Sequence, residues 1–571
     1  MDDAGKLTGG TAPHRKPAAK WLSIAQLVRT GIEIFKVSRY AKSQERLVEI
    51  ARAPGEFYQL SNGTKDVRVD FVADTGDGFE PTFATALCVA RHPELPENEP
   101  RADLLVLGGD LVYPVAKESR YEERFTSVFK HAAELAGMTE KPPIVALPGN
   151  HDWYDGLKSF LKMMGIPAYE RAQPSPEPNP IPISAGPDVG GWSAFQSRSY
   201  FAIQLTEDWW LWGVDSQLDA PIDDDQVEYF KQAQKKLNGA DVILCTATPS
   251  WLEAAGTEPH RADEGSPFDS LLDFIDKALG EKRNSIRLLL TGDKHHYAHY
   301  VPKNGSGFGP HLVTCGGGGA FLSATHHLPE ALHPVWRPRS ADPASTEYEL
   351  AKVSPTAIES KTLVANGKFL AAGVRNGPTL PILAGGVGAC LFGMFHWGLV
   401  PVLISAGVLT GLLGLYANRG KHKHKPKFRT GLALAVSHML GHVGVAGLTE
   451  WIYSKFVPLD FWPSLLAAFP VLAVLGAGVF VTYLHIADRF GWHTLEAFSG
   501  MRIERYKCHL RMVVGQDGIT MSVVGLNPPS AGQASHTTTL PPQPEIIEEF
   551  KIERRGTATQ PPEDAVPALR Q

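Results

Sequence analysis

The sequence predicts an α/β domain, built as a β-sandwich flanked by helices, followed by an α-helical transmembrane region of about four spans. Two patterns lead to this prediction. Residues 66–325 alternate short apolar runs with amphipathic or loop segments, which is typical of a layered α/β domain. The charges thin out sharply after Arg375, and no charged residue lies between Arg375 and Arg419. That stretch is long enough for two bilayer crossings of about 20 residues each.

Length and composition limit the number of modules, the classes of partner and the cellular compartment. A chain of 571 residues is too long for one hydrophobic core, so we expect two or three modules. The net charge of −6 gives no indication of nucleic acid, and no nucleic-acid binding is expected. The five cysteines are far apart without a CxxC pair, which argues against a zinc knuckle or a disulfide framework and fits a reducing compartment. Residues 1–20 are polar, so no signal peptide is expected.

One apolar run of the α/β region ends in an especially informative way. Residues 144–147 stop at a Pro-Gly pair and are followed by Asn150, His151 and Asp152. This pattern indicates a buried strand that ends in a tight turn and presents polar groups at its carboxyl end, where open α/β sheets bind ligands. Taken alone, the segment is equally typical of an ordinary turn rich in Asn and Asp.

Four other apolar runs also end in polar residues. They are 67–73 before Asp74, 104–107 before Asp110 and Tyr113, 242–245 before Thr246-Ala247-Thr248-Pro249, and 286–290 before Asp293 and His295. In this order, the five endings resemble the motifs Asp-x-His, Gly-Asp, Gly-Asn-His-Asp/Glu, His-x-Pro and Gly-His-x-His of the calcineurin-like metallophosphoesterases. The resemblance covers residues 66–325, and Gly149-Asn150-His151-Asp152 is its most specific part. It implies a sandwich with two metal ions between its sheets, bridged by a carboxylate and by a hydroxide that attacks the phosphoester.

Three motifs depart from the family pattern. Gly76 stands in place of the first histidine, and Tyr113 follows Asp110 by three residues. This pair looks like the purple acid phosphatase branch, in which a tyrosinate replaces that histidine. Ala247 stands where the histidine of the fourth motif belongs, and Asp293 replaces the first histidine of the last motif. A Gly-Asp-x-His ending also looks like the PhoD-type branch.

The resemblance implies two metal sites. The first ion, which would be iron, manganese or zinc, is expected to bind Asp74, Asp110, Tyr113 and His295. The second ion, which would be manganese, magnesium or calcium, is expected to bind Asp110, Asn150 and Asp293 and to receive nothing from Ala247. His151 is expected to donate a proton or contact the phosphate, with Asp152 orienting it. The candidates to replace the missing ligand are His296, His326 and His327.

Four apolar stretches predict the transmembrane region over residues 379–486. The expected spans are 379–396, 399–417, 430–448 and 463–485. Residues 419–429 between the two pairs are strongly basic, whereas the loops at the opposite ends of the spans carry almost no Lys or Arg. The positive-inside rule therefore places the basic linker in the cytosol, and with it both soluble flanks. The alternative, buried helices of a soluble protein, is weakest for the first pair and strongest for the third stretch.

The remaining segments complete the predicted organisation. The expected units are a disordered tail 1–19, an N-terminal helical segment 20–65, the metallophosphoesterase domain 66–335, a linker 336–378, a soluble α/β segment 487–526 and a disordered tail 527–571. The N-terminal helix is compatible with a membrane surface and with packing on the catalytic domain. The segment after the spans is expected to form a helix and two strands around Asp517-Gly518 that dock back on that domain.

These observations predict a membrane-anchored, metal-dependent phosphoesterase that faces the cytosol and hydrolyses a phosphomonoester or a phosphodiester. Its substrate is left open between a phospholipid, a lipid-linked diphosphate and a soluble nucleotide. One alternative is a catalytically degenerate domain that binds a ligand or partner, as Ala247 and Asp293 suggest. Another is a transporter with a regulatory phosphoesterase-like domain. The spans have almost no polar residues besides His438 and His442, which argues against a transport pathway.

Overall fold

The computed structural model describes most of the chain. The described residues are 15–23, 26, 56–60, 66–91, 101–166, 178–181, 186–216, 222–254, 267–303, 309–336, 346–365, 376, 378–419, 428–527 and 544–555. Most of the predicted N-terminal helix and the centre of the predicted basic linker lie outside these residues.

Two mixed β-sheets form the centre of the α/β domain. Their strands are β1 (Phe57–Gln59), β2 (Val67–Val72), β3 (Leu104–Leu107), β4 (Pro143–Ala146), β5 (Asn179–Pro180), β6 (Asp188–Val189), β7 (Trp192–Ala194), β8 (Phe201–Thr206), β9 (Trp209–Val214), β10 (Asp241–Thr246), β11 (Ile286–Thr291), β12 (Tyr297–Pro302), β13 (His311–Cys315), β14 (Ala331–Trp336), β15 (Thr346–Ser354), β16 (Lys507–Val514), β17 (Gly518–Leu526) and β18 (Glu545–Glu553). One sheet has the order β14-β15-β12-β13-β11-β10-β9-β8-β1-β5, and the other β18-β17-β16-β2-β3-β4-β7-β6.

The apolar runs read from the sequence form the strands that carry the candidate site. β2, β3 and β4 are parallel neighbours in one sheet, and β10 and β11 are parallel neighbours in the other. Their inner faces share one buried apolar cluster, in which Phe71 and Val145 belong to one sheet and Ile243 and Leu288 to the other. The predicted α/β class is confirmed. Because the carboxyl ends of neighbouring parallel strands lie at the same edge, the polar residues that follow them are brought together.

Helices flank the sheets and then continue into the apolar part of the chain. They are α1 (Phe79–Arg91), α2 (Glu118–Tyr121), a π-helical turn (Glu122–Thr126), α3 (Ser127–Leu135), α4 (Lys158–Met163), α5 (Asp224–Lys235), α6 (Trp251–Ala254), α7 (Pro267–Leu279), α8 (Ala357–Ala365), α9 (Thr379–His396), α10 (Leu399–Arg419), α11 (Phe428–Phe456), α12 (Phe461–Arg489) and α13 (Thr494–Met501), with short 3₁₀ helices at Asp152–Asp155 and Gly280–Ser285. The start of α5 follows directly from its sequence, because the Asp223 carboxylate accepts a hydrogen bond from the Gln226 N–H at 2.9 Å.

Several segments predicted to lie outside the catalytic domain contribute strands to it. β1 lies in the predicted N-terminal helical segment, β15 in the predicted linker and β18 in the predicted disordered tail. The helix and two strands expected around Asp517-Gly518 are present as α13, β16 and β17, and β16 pairs with β2. The domain boundaries therefore differ from those expected. β1 is held by β5 and β8, which are far away in the sequence, whereas β15 pairs with β12 and β14 and β18 pairs with β17, at shorter separations.

A buried ion pair fixes the C-terminal strands to the first strand of the site. The Arg511 guanidinium on β16 donates to both carboxylate oxygens of Asp70 on β2, at 2.9 and 3.1 Å. Both side chains are almost completely buried. A fork-shaped guanidinium that meets a carboxylate with two hydrogen bonds is the geometry that best offsets the cost of burying the charges. The C-terminal segment is therefore part of the catalytic domain.

Four apolar helices lie where the sequence predicts membrane spans. By length and composition, two of them qualify as candidate spans within the described residues, namely Leu432–Phe456 and Phe461–Arg489, while the apolar helical segments Leu380–His396 of α9 and Leu399–Val408 of α10 are shorter. Large apolar side chains such as Leu466, at 76 % exposure, and Val474, at 68 %, point away from the protein. Exposed apolar surface of this kind needs an apolar environment or a partner. Two candidate helices give limited support to a membrane, and the four predicted spans stay a prediction.

The two ends of the apolar region pack together against the catalytic domain, because Leu380 of α9, Leu484 of α12 and Leu322 share one buried cluster. Asn376, just before α9, accepts a hydrogen bond from the Leu22 N–H and donates one to the Gly500 carbonyl. Asp488, near the end of α12, contacts His326. Both flanks of the apolar helices therefore lie on the same side of the helices, as an even number of membrane crossings requires.

Candidate metal centre

The four residues predicted to hold the first ion converge on one point. The Tyr113 hydroxyl lies 2.9 Å from Asp74 Oδ1, 3.1 Å from Asp110 Oδ2 and 2.9 Å from His295 Nε2. Asp74 follows β2, Asp110 and Tyr113 follow β3, and His295 follows β11. All four side chains are buried. Two carboxylates, a phenol and an imidazole are thus arranged like the ligand set of a single ion.

Several of the predicted ligands have an unusual backbone conformation. Asp74, Asp110, Asp293 and His295 have positive φ angles of 59°, 51°, 65° and 35°. This left-handed region is uncommon for residues other than glycine and costs free energy, so it persists where surrounding contacts enforce it. Here it turns the side chains from the strand ends towards a common centre. The concentration of such angles at one place is itself evidence for a functional site.

The conformation of the loop at Gly76 explains why a histidine does not stand there, and Tyr113 supplies a donor atom in its place. Gly76 has a φ of +66°, and a Cβ added there would collide with the Leu111 carbonyl oxygen. Any side chain at position 76 is therefore unfavourable in this loop. The Tyr113 hydroxyl instead supplies a donor atom between Asp74 and His295. The replacement that the resemblance implied is consistent with this geometry.

The centre concentrates negative charge away from water. Burial raises the pKa of Asp74 well above its usual value, and the charge of Asp293 raises it further. Burial and then the charge of Asp74 also raise the pKa of Asp110. Burial, followed by the charges of Asp110 and Asp74, raises the pKa of Tyr113. A cation among these groups opposes all three shifts, because it favours the ionised forms. The donor set therefore fits a resident metal ion.

The residues predicted for the second ion fit less completely. Asp110 Oδ1 already accepts the His151 N–H at 2.8 Å, and Asn150 Nδ2 donates to the Tyr154 hydroxyl at 3.0 Å. The third predicted ligand, Asp293, already has a cationic partner, because its Oδ2 lies 2.6 Å from Lys294 Nζ. An ammonium group already balances part of the charge that a second ion would neutralise.

The missing fourth-motif ligand is not replaced by His326 or His327. Both of these imidazoles contact Asp488 at the end of α12 instead. Ala247 itself is buried beside the Asp110 loop, and its carbonyl accepts the Gly292 N–H at 3.0 Å. His296 is the remaining candidate. It is buried next to His295, and neither ring nitrogen has a hydrogen-bond partner among the described residues.

The structure corrects the expected partnership of His151 and Asp152. His151 Nδ1 lies 2.9 Å from the Pro114 carbonyl oxygen, so Nδ1 carries a proton and the carbonyl orients the ring. The Asp152 carboxylate accepts from the Gly149 N–H at 2.9 Å, from the Leu111 N–H at 3.3 Å and from the Tyr121 hydroxyl. Asp152 therefore stabilises the loops around the centre and does not orient His151. Burial lowers the pKa of His151 to about 4.

An aromatic wall that the sequence did not reveal covers the centre. The Trp21 ring packs edge-on against the rings of Tyr113, His151 and Phe321, with centroid distances of 5.9, 5.9 and 5.5 Å. Asp77 holds this N-terminal segment in place by accepting hydrogen bonds from the Ala19 N–H and the Trp21 indole N–H. Residues 15–19, expected in a disordered tail, are thus part of the site. Trp21 was predicted in the N-terminal helical segment 20–65, and no pattern in the sequence indicated this contact.

A comparison with known families agrees with this geometry. Residues 67–297 match the calcineurin-like phosphoesterase family model. The matched region begins at β2, ends at the start of β12 and contains every predicted metal ligand. It supports a phosphoesterase hydrolase of the calcineurin-like superfamily, whose members usually bind a dinuclear metal centre. A sequence search among curated proteins found no match.

Proposed function

We propose that the protein is a membrane-anchored, metal-dependent phosphoesterase whose catalytic domain faces the cytosol. The observation that carries the proposal is the convergence of Asp74, Asp110, Tyr113 and His295 within 3.4 Å contacts at the strand ends. Two carboxylates with mutually unfavourable charges are costly to bury beside a phenol and an imidazole, and a bound cation offsets that cost.

In this proposal the side chains of the centre have separate roles in metal binding, proton transfer and the exclusion of water. Asp74, Asp110, Tyr113 and His295 would hold one ion, and Asp110, Asn150 and Asp293 would hold another. Bound metal ions would supply Lewis acidity, which neutralises phosphate charge and lowers the pKa of water. His151 would act through Nε2, since Nδ1 is held by Pro114. The negative charge of a bound phosphoester would favour protonation of Nε2, and the protonated ring would then protonate the leaving oxygen or contact the phosphate. Trp21 and Phe321 would limit the access of bulk water to the reacting groups.

The position of the centre favours a substrate at the membrane. Phe321 packs edge-on against His295 with a centroid distance of 4.5 Å. The next residue, Leu322, belongs to a buried cluster with Leu380 and Leu484 of the apolar helices. Only one peptide bond therefore separates the wall of the centre from the end of the apolar region. This supports a phospholipid or a lipid-linked phosphoester over a soluble nucleotide.

The activity test requires the whole chain. β16 pairs with β2, so a fragment that ends before the apolar helices would lose strands of the catalytic sheet. Full-length protein in detergent should be tested with phosphomonoesters and phosphodiesters, each in a soluble and a lipid-linked form. We expect hydrolysis of one ester class with a preference for the lipid-linked form. A metal-loaded protein that hydrolyses none of them would favour the alternative of a degenerate binding domain.

Metal retention gives a separate prediction. The first set offers an imidazole and a phenol, whereas the second offers oxygen ligands and a carboxylate already paired with Lys294. Extensive dialysis should therefore leave one ion bound and remove the other, and Mn²⁺, Mg²⁺ or Ca²⁺ should restore activity. Elemental analysis before and after dialysis measures this directly. Two zinc ions retained in this centre after dialysis, counted as the zinc that an Asp110→Asn protein loses, would contradict it and indicate that another group, such as His296, completes the second set.

Topology can be tested with reporters. A reporter placed at Lys423 or after Gln571, both outside the described residues, should behave as cytosolic, and one near Gly398 should not. The expectation has two reasons. The basic linker is expected in the cytosol by the positive-inside rule, and both flanks of the apolar helices lie on one side of them. Labelling of a cysteine at position 423 from outside intact cells would reverse the proposed orientation.

A further inference from the structure

A second group of ligand-type side chains lies where the catalytic domain meets the end of α12. His326 Nε2 is 3.2 Å from Asp488 Oδ2. His327 Nε2 is 3.7 Å from Asp488 Oδ1 and 2.7 Å from the Asp488 carbonyl oxygen. One donor atom from each of the three residues lies within 4.8 Å of the other two. Donor atoms this close together are typical of groups that surround a single ion, and less typical of separate contacts at a surface.

Two details point to a ligand at this place. Asp488 is 2 % exposed, and its Oδ1 has no hydrogen-bond partner among the described residues. A buried carboxylate oxygen without a partner is unfavourable, so an additional ligand would stabilise it. His326 Nδ1 lies 2.7 Å from the Ser360 hydroxyl oxygen. Metal-binding histidines are usually oriented in this way, with the second ring nitrogen hydrogen-bonded to an oxygen atom.

We propose that His326, His327 and Asp488 bind a divalent transition metal ion, with zinc as the best fit. Two imidazoles and one carboxylate are a common zinc set, and they leave a fourth position for water or for a backbone carbonyl. The ion would displace any protons that the imidazoles share with the carboxylate. The site is independent of the phosphoesterase centre, because the two share no ligand.

The ion would join the catalytic centre to the membrane region. His326 lies five residues after Phe321, which packs on His295. Thr325, beside it, donates its N–H to Ser360 of α8 and its hydroxyl to the Pro355 carbonyl. The turn from Phe321 to His327 is therefore held on one side by α8, and the ion would hold its other side to α12. This arrangement fixes the wall of the centre relative to the apolar helices.

The test is the zinc content of full-length protein in detergent, after loading with Zn²⁺ and removal of free ion. His327→Gln keeps a hydrogen-bond donor for the Asp488 carbonyl but binds zinc poorly, so it should lose about one ion per chain. His295→Ala should lose zinc from the phosphoesterase centre, and the double variant should lose both amounts additively. His131→Ala, at a histidine that stacks on Phe83 and belongs to neither group, should leave the zinc content unchanged. Substituted Co²⁺ should give a visible spectrum that loses one component in His327→Gln.

The result that overturns this inference is a folded His327→Gln protein with unchanged zinc content and an unchanged cobalt spectrum. The cluster would then be a set of hydrogen-bonded ion pairs. Asp488→Asn provides a second variant if His327→Gln does not fold, with the same expected loss of zinc. The phosphoesterase proposal fails separately, namely if His295→Ala retains all of its zinc while His327→Gln loses part of it.

Discussion

Asp110→Asn should abolish phosphoester hydrolysis. The Asp110 carboxylate accepts the His151 N–H through Oδ1 and contacts the Tyr113 hydroxyl through Oδ2, so both of its oxygens are turned into the centre. An amide has nearly the same shape but no charge, and one of its two positions becomes an N–H donor. This carboxylate would help to hold both ions, whose Lewis acidity would contribute several kcal/mol to the lowering of the barrier, so we expect a loss of about 10³-fold or more in kcat.

The measurement for Asp110→Asn combines turnover with metal content. The metal content should fall together with activity, because both proposed ligand sets include this carboxylate. Asp224→Asn is a matched control, since it makes the same change at an exposed position at the start of α5 and should have no effect. A folded Asp110→Asn protein with normal turnover would show that the assignment of two ions around Asp110 is wrong.

His151→Ala should lower kcat by about 10²-fold or more while leaving the metal content nearly intact. The backbone N–H of residue 151 donates to Asp110 Oδ1, and alanine preserves this contact. The imidazole contacts Pro114 through Nδ1 and packs against the rings of Tyr113, Trp21 and Tyr154. Its loss should therefore remove a proton donor or a phosphate contact without removing a ligand.

The leaving group distinguishes the two roles of His151. A lost proton donor affects an alkyl ester strongly and an aryl ester weakly, because an aryl leaving group departs without a proton. A lost phosphate contact affects both esters alike and also raises KM. Loss of metal in parallel with activity would instead make His151 a ligand and contradict both roles.

The sequence by itself determined the candidate residues of the centre and the class of the fold. Asp74, Asp110 and His295 were identifiable because each follows an apolar run that forms a buried parallel strand, and parallel strands place such residues at one edge. Tyr113 was identifiable through the resemblance, in which a tyrosine takes the place of the histidine missing at Gly76. The positions of the four apolar helices followed from composition, because a long run without charges is typical of membrane-spanning helices.

The tertiary structure alone decided the contacts between segments that are distant in the chain. β18 was missed because the chain from residue 527 onward is rich in Pro, Gln, Thr and Glu, and its strand is held by pairing with β17. The pairing of His326 with Asp488 spans 162 residues and has no local signal. The Trp21 indole donates a hydrogen bond to Asp77 beside the centre, a contact that the predicted N-terminal helical segment gave no reason to expect. His151 and Asp152 are neighbours in sequence, yet their side chains have different partners, because His151 contacts the Pro114 carbonyl whereas Asp152 accepts from Gly149, Leu111 and Tyr121. Sequence specifies which chemical groups are present, whereas the direction of each side chain depends on backbone angles that only the packed structure fixes.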